Sequence, residues 1–471
     1  MNVFRLNGLK LTLDEREEDL TSKAARALGI PASDIVSLQV LRKALDARRN
    51  RPPHYVYAVK IVVPDHIMQP EIMPEGMQIS PFQDDPTVDP STPVLKVKQP
   101  VVVIGSGPAG LFAAYALAVK NIPVVLLERG RPVEQRIKDV ALFWDKGVLD
   151  PQSNVLFGEG GAGTFSDGKL TSRSKNPYAG WVKKVLVEMG APSSVLADAK
   201  PHIGTDRLLK VLVNVRQRLL ECGCLIRFES QVTDIVIRQG VIAALVVNGQ
   251  EEIQAEHVIL AIGQSADDTY YKLSERGVKM EPKPFAMGAR VEHPQTLINS
   301  MQYGQWSGHP QLPPAEYFVT AALSKQDRSV YTFCMCPGGQ VIGCSAFPGT
   351  VITNGMSRQA RSGEFANSAV VVNVRTDDFL SWGWPLGGLE FRKHWEQKAF
   401  VAGGGNYCAP AQKLNDFVRG KISGEVGKTS FLPGVKSVDL SEMFPFFVTE
   451  ALRAGLGQIN RKMPGFLFDD A

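Results

Sequence analysis

The fold class this sequence predicts is α/β in three parts: a small N-terminal α+β domain, a central domain on parallel strands, and a β-rich domain with a helical finish. Three observations carry it. The stretch Val101-Val-Val-Ile-Gly-Ser-Gly-Pro-Ala-Gly110 runs four β-branched residues into glycines spaced G-x-G-x-x-G, and an Ala-rich helical pattern follows from Leu111 to Val119. The next apolar run, Ile122 to Leu127, ends at the acid Glu128. From about Lys279 the texture changes to strands, prolines and aromatics. Strand, turn, helix, second strand and terminal acid, in that order, predict a Rossmann-like FAD/NAD(P)-binding domain, followed by a β-rich substrate domain.

Within the motif each glycine has its own reason. Gly105 permits the turn, Gly107 lets backbone N–H groups approach a pyrophosphate, and Gly110 lets helix pack on strand, with the helix N-terminus facing the anion. A carboxylate at 128 would repel a 2′-phosphate but bond a free ribose, as in FAD or NAD. These residues alone leave both cofactors open.

With 471 residues the chain can bury a sizeable core. It is 44% hydrophobic and 21% charged, the composition of an ordinary soluble protein, and a formal net charge of +4 argues for no nucleic-acid partner. No basic segment followed by an apolar run opens the chain, and no apolar run is long enough to span a bilayer. The expectation is a cytoplasmic protein with no membrane partner. Six cysteines without a C-x-x-C support neither a disulfide framework nor a metal site.

Residues 1–63 read as the α+β unit: a strand from Val3 to Leu13, a helix from about Asp14 to Leu28, and strands at Ile35 to Leu41 and Tyr55 to Val63. The basic run from Leu41 to Arg51 reads as a solvated connection between strands; contact with RNA is its sharper alternative. Residues 64–99, with Pro100 beyond, hold eight prolines to position 100 and predict an extended linker.

The nucleotide domain is expected over 100–280. After Glu128-Arg-Gly130 a helical pattern from Val133 to Lys146 leads to a second glycine cluster, with glycines at 158, 160, 161, 163 and 168. So little side chain there makes the backbone the working surface, anchored by Phe157 and Phe165. A helix from Arg207 to Cys222 is expected, capped by Thr205 or Asp206. Short strands follow at Leu225 to Glu229, Val232 to Arg238, Val241 to Val247 and His257 to Ile262; the last is read as buried and breaks at Gly263, where the chain passes under a cofactor. The substrate domain over 281–471 begins with strands at Phe285 to Glu292 and Val330 to Cys336 and ends with helices at Leu389 to Phe400, Gln412 to Val418 and around Ser441 to Leu456.

Beyond the first glycine motif and Glu128-Arg-Gly130, the runs Gly158-Glu-Gly-Gly-Ala-Gly-Thr-Phe-Ser-Asp-Gly168, Ala261-Ile-Gly-Gln-Ser-Ala266, Phe333-Cys-Met-Cys-Pro-Gly-Gly339, Asn354-Gly-Met-Ser357, Ala366-Asn-Ser-Ala369 and Gly403-Gly-Gly405 carry a resemblance. Together they resemble the largely uncharacterised bacterial FAD-dependent dehydrogenases, an NAD(P)/FAD-dependent oxidoreductase family with a fold of the glutathione-reductase and p-hydroxybenzoate-hydroxylase type. The resemblance implies FAD. It places the diphosphate along Gly105, Ser106, Gly107, Pro108, Ala109 and Gly110, and the adenosine ribose at Glu128 with Arg129 beside it. It puts the adenine at the backbone of Val232, the loop Gly160, Gly161, Gly163, Ser166 and Gly168 near the flavin, and Gly263 beneath the cofactor. Family members continue past the position of Asp470-Ala471 into a glycine-rich segment that closes over the FAD, so the sequence as given is expected to lack that segment.

Candidates for chemistry are few, because hydride enters or leaves at the flavin itself. Lys169 could place a cation near the flavin. Arg290 and Glu292 share one strand face with His293 opposite, a set that could hold a carboxylate substrate or move a proton. Cys334 and Cys336, on a regular strand, would project to one face with Cβ atoms roughly 7 Å apart, beyond the roughly 3.8 Å a disulfide wants, so they are expected to be structural. Gly403 to Pro410 reads equally as a helix C-cap and as a pocket wall in which Asn406 or Tyr407 orients a ligand. The reading is a FAD-dependent oxidoreductase acting on a small organic substrate, with NAD(P)H as candidate electron donor. Its rivals are a non-catalytic nucleotide-binding scaffold and an RNA-associated protein.

Overall fold

The computed structural model describes residues 1–48, 51–83, 97–171, 176, 178–324 and 326–469. Arg49 of the basic run, the middle of the proline-rich stretch (84–96) and the terminal pair 470–471 lie outside the described residues. The chain divides into two compact units, one of 1–89, 169–203 and 296–315, the other of 90–168, 204–295 and 316–471.

The first unit is built on an antiparallel sheet, order β2-β3-β1-β4, of β1 (Asn2–Thr12), β2 (Ser37–Asp46), β3 (His54–Val63) and β4 (Gln78–Pro81). Alternation sets its core: Tyr57, Val59, Ile61 and Val63 of β3 point one way and are buried. On β1 the inward residues change parity, Phe4 and Leu6 before, Leu9 and Leu11 after, because the register shifts between Asn7 and Leu9. Gly8 makes that bulge with φ +90°, and a Cβ there would stand 2.2 Å from the Gly76 carbonyl oxygen. The helix Asp19–Leu28 covers the sheet with Leu20, Ala24, Ala25 and Leu28 and ends on Gly29 at φ 68°.

Two expectations change here. The first part of the basic run, Leu41 to Asp46, is the second half of β2, a paired strand rather than a solvated connection: Lys43 exchanges backbone hydrogen bonds with Ala197 and Ala199 and pairs with Glu17 at 2.6 Å. Part of the expected linker is β4, an edge strand on β1, the position in a sheet that tolerates proline.

The second unit holds the nucleotide-type domain. Its parallel sheet, β11-β5-β6-β7, consists of β5 (Val101–Ile104), β6 (Val124–Leu127), β7 (Leu225–Arg227) and β11 (Val258–Leu260). All four residues of β5 are buried, as a strand covered on both faces requires. The helix Pro108–Ala118 joins β5 to β6, and Val133–Lys146 follows β6. An antiparallel meander of β8 (Val232–Arg238), β9 (Val241–Val247) and β10 (Glu251–Gln254) packs Val232, Ile235, Leu245 and Val247 on Val102, Ile104 and Leu127. As an edge strand, β11 is not buried as expected, and Leu260 is 43% exposed. The helix Thr205–Glu221 starts on Gly204 rather than on a capping side chain; a Cβ at Gly204 would stand 2.2 Å from the Gln359 amide nitrogen.

A five-stranded antiparallel sheet, order β12-β16-β14-β13 with β15 on β14, forms the rest: β12 (Phe285–Pro294), β13 (Thr320–Leu323), β14 (Arg328–Gly343), β15 (Thr353–Met356) and β16 (Phe365–Val374). The helix Phe446–Lys462 covers one face, so close that a Cβ on Gly455 would meet the Val330 side chain at 2.5 Å. A short parallel pair, β17 (Ala409–Ala411) and β18 (Val435–Ser437), follows the helix Gly387–Gly403. Among the described residues no helix is long and apolar enough to cross a membrane.

Candidate functional site

The second unit folds the two glycine clusters together. At the end of β5, Gly105 turns with φ +97°, and a Cβ there would stand 2.4 Å from the Ala261 carbonyl oxygen. The strand-to-helix turn and the chain leaving β11 therefore touch backbone to backbone. Gly110 seats the helix Pro108–Ala118 on that turn: its Cβ would be 1.8 Å from the Gly105 oxygen. Gly161 of the second cluster sits against Gly107 of the first, where a Cβ would be 3.0 Å from the Gly107 Cα, and the Gly160 N–H donates to the Ser106 carbonyl at 2.9 Å. The N–H groups of the helix's first turn have no partner within the helix and make a ready anion site.

These contacts frame a cavity of about 490 Å³. Of the residues expected at a cofactor, it brings together Gly105, Gly107, Pro108, Ala109, Glu128, Arg129, Gly161, Gly163, Val232 and Gly263. Ser106, Gly110, Gly160, Ser166 and Gly168 do not line it. They act behind the surface: Ser166 Oγ donates to the Gly163 carbonyl at 2.7 Å and accepts the Gly168 N–H at 3.1 Å, while the α-hydrogen side of Gly160 abuts Thr164 and Leu212.

Glu128 does more than its spacing suggested. It is 4% exposed, and its Oε2 accepts the Ser106 N–H at 2.7 Å and hydroxyl at 2.8 Å, while Oε1 accepts the N–H groups of Gly130 at 2.9 Å and Gly158 at 3.0 Å. A carboxylate offers about four lone-pair directions. Protein donors take them, so a ribose hydroxyl would share one. The carboxylate ties the first loop, the turn after β6 and the second loop to one point.

Arg136, which the sequence reading did not single out, holds the second loop from behind. Its side chain is fully buried and spends all of its donors: Nε on the Asn154 carbonyl at 2.7 Å, Nη1 on the Glu159 carbonyl at 2.5 Å and Thr164 Oγ1 at 2.9 Å, Nη2 on the Val155 and Gly161 carbonyls at 2.8 and 2.9 Å. Burial pushes its pKa down to about 10, which leaves it charged at neutral pH. Gly158 must be glycine, because a Cβ would stand 2.4 Å from Arg136 Cδ. The signal was present in the helix pattern: Val133, Arg136, Val140 and Phe143 form its buried stripe, and an arginine in that stripe needs internal partners. Glu159 accepts the Val133 N–H at 2.8 Å and a hydrogen bond from Arg216 at 3.1 Å, and its burial raises its pKa to about 7.

Toward the other end of the cavity, Arg129 lies over the Phe157 ring at 4.2 Å and bonds Asp268 at 2.9 Å. Ser230, Thr269 and Tyr270 complete that wall, none of them marked by any spacing in the sequence.

The candidates for chemistry lie elsewhere. Lys169 belongs to the first unit, where its backbone pairs antiparallel with that of His202. Glu292 accepts hydrogen bonds from the Thr429 hydroxyl at 2.6 Å and from Ser430, a structural tie. His293 is fully buried between Tyr317 and Phe466 and its Nε2 donates to the Phe466 carbonyl at 2.7 Å; desolvation pushes its pKa down to about 4, so it is a neutral core residue and no proton carrier. Cys334 and Cys336 do not share a face. The register of β14 shifts between Phe333 and Cys336, Cys334 takes φ 49° and is exposed, and Cys336 is buried. Arg290 is partly exposed on the sheet. The Gly403–Pro410 segment caps its helix through Gly404 at φ 105°, with Tyr407 packed on Phe143 and Phe400 at 5.1 and 5.0 Å.

Residues 284–471 match a family model described as FAD-dependent protein, C-terminal domain-like; residues 100–150 match an FAD binding domain, and 4–62 a domain of unknown function. The C-terminal match runs to residue 471, so the expectation of a missing closing segment finds no support. The chain is 38% identical to an uncharacterised protein of Clostridium beijerinckii over 100% of its own length and 88% of that protein's. Among solved structures it is similar to NikD, an amino acid oxidase essential for nikkomycin biosynthesis, at 14% identity and a TM-score of 0.30, covering 59% of this chain and 70% of that one. It is also similar to L-proline dehydrogenase from P. horikoshii, at 13% identity and a TM-score of 0.24, over 42% and 62% of the two chains. Likenesses this low carry no functional weight.

Proposed function

The chain belongs to the family of FAD-dependent proteins that it shares with the Clostridium beijerinckii protein, and from that premise we propose that it is an oxidoreductase passing hydride between FAD and a small organic substrate, with NAD(P)H as electron donor. FAD, when bound, supplies the redox chemistry at its own ring. The chain supplies placement and charge. The observation that carries the reading is the cradle where Gly107 and Gly161 touch in the wall of a cavity of about 490 Å³. Bare backbone on both sides fits a diphosphate held by N–H groups, and Gly161, Ala162 and Gly163 continue the wall without side chains that would fill it. Glu128 and Arg136 keep the two loops in register, while Arg129, Ser230 and Val232 frame the adenosine end.

The purified protein is expected to be yellow, absorbing at about 370 and 450 nm, and to bleach anaerobically with NADH or NADPH. A colourless protein that takes up no FAD on reconstitution would overturn the placement of the cofactor. A yellow protein bleached by neither nucleotide would remove NAD(P)H as donor.

A further inference from the structure

We propose that Arg290 anchors the carboxylate of an organic-acid substrate whose apolar body lies against Ala369 and Phe333, on the face of the five-stranded sheet turned away from the helix Phe446–Lys462. The proposal rests on the flavin-dependent reading above and names its substrate class.

The sheet has two unlike faces. One carries Val330, Val370 and Val372, all buried under the helix Phe446–Lys462. On the other, pairing across β12, β16 and β14 sets Arg290, Ala369 and Phe333 in a single row. Phe333 is 56% exposed, an uncovered aromatic in the middle of a sheet. Two strand spacings separate it from Arg290, roughly 10 Å, and the residue between them is only alanine. The small side chain of Ala369 leaves a shallow floor between them, and the Arg290 guanidinium, which reaches past Asn367 to the Cys334 carbonyl next to Phe333, closes one end of it.

Arg290 is held ready for an anion. Its Nε and Nη2 donate to Asn367 Oδ1 at 3.0 and 2.7 Å, and Nη2 also to the Cys334 carbonyl at 2.8 Å. Nη1 reaches Asn354 Oδ1 only at 3.5 Å. Every one of these partners is neutral, and among the described residues no carboxylate lies within ion-pair distance of the guanidinium. The surroundings are shaped for this pose. Asn367 is fully buried, the Cys334 carbonyl is turned by a bulge that holds a non-glycine residue at φ 49°, and a Cβ on Gly355 would stand 2.2 Å from Nη2. Nη1 makes only the one long bond, so of the five N–H groups it alone has one left to give to a carboxylate, and the fixed pose aims that N–H in one direction.

The test uses the full chain with FAD added and a matched pair of probes, benzoate and its neutral amide, benzamide, followed by calorimetry. Saturable benzoate binding at least about tenfold tighter than benzamide is expected, the least a charge-assisted pair contributes. Arg290→Met should remove that preference with FAD content unchanged, and Arg290→Lys should restore only part of it, because a rotatable ammonium is not fixed in place by Asn367 and the Cys334 carbonyl as the planar guanidinium is. Ala369→Phe keeps the cation but fills the shallow floor, and should weaken benzoate at least about tenfold while leaving folding intact. It decides the matter if Arg290→Met does not fold. Equal binding of acid and amide, no saturable benzoate binding, or unchanged affinity in Arg290→Met or Ala369→Phe would overturn the proposal. FAD uptake, read separately by absorbance, tells its failure from that of the flavin reading.

Discussion

Two buried ionisable residues do different work in this molecule. Arg136 is the only cation within the cage of carbonyls formed by residues 154–161 and Thr164 among the described residues, and replacing it by methionine would leave those acceptors without donors. We predict that Arg136→Met lowers unfolding stability by about 3 kcal/mol or more, measured by urea denaturation, and loses FAD at the same time. A variant of full stability would mean that the loop does not depend on the guanidinium. His293 affects pH dependence. It is neutral when folded, with a pKa lowered to about 4, whereas an unfolded chain protonates it below its ordinary 6.5. The unfolded state then binds more protons, so this residue's contribution to stability is present above about pH 6.5 and is lost as pH falls toward 4. Glu159, raised to about 7, works with the opposite sign between 4.5 and 7, so the comparison needed is between wild type and His293→Gln. The urea midpoint of the variant is expected to fall less between pH 7 and pH 5, and an equal fall in both would refute the assignment.

At the scale of the element, glycines that look alike in the motif are separable. Gly107 has an ordinary extended backbone and a Cβ there would meet only Gly161 Cα, at 3.9 Å, whereas a Cβ on Gly110 would stand 1.8 Å from a backbone oxygen. Gly107→Ala is therefore expected to keep its stability within about 1 kcal/mol and yet to retain less FAD, since the methyl occupies space the cofactor needs. Gly110→Ala is expected to destabilise the fold itself. Thermal denaturation and the ratio of absorbance at about 450 nm to that at 280 nm separate the two. The same scale shows why the cysteine pair misled. Alternation predicts one face for residues two apart, and a bulge in β14 cancels the alternation between Phe333 and Cys336.

For the whole molecule, every residue that lines the cavity belongs to the second unit. Hydrogen exchange on adding FAD is thus expected to slow in 104–110, 127–131, 156–163, 230–232 and 260–270, with no change in β1 to β4. Protection confined to the first unit would contradict this location. The sequence by itself determined the α/β class, the strand–glycine–helix turn, the helix Val133–Lys146 to the residue and the strands Val232–Arg238 and Val241–Val247, because glycine spacing and hydrophobic period are local properties. Only the tertiary structure decided that Glu128 and Arg136 gather the loops, that β4 comes from a proline-rich stretch, and that Arg290 has neutral partners. Those outcomes depend on which distant backbone groups meet a side chain, and no spacing along the chain records a contact made across 20 to 80 residues.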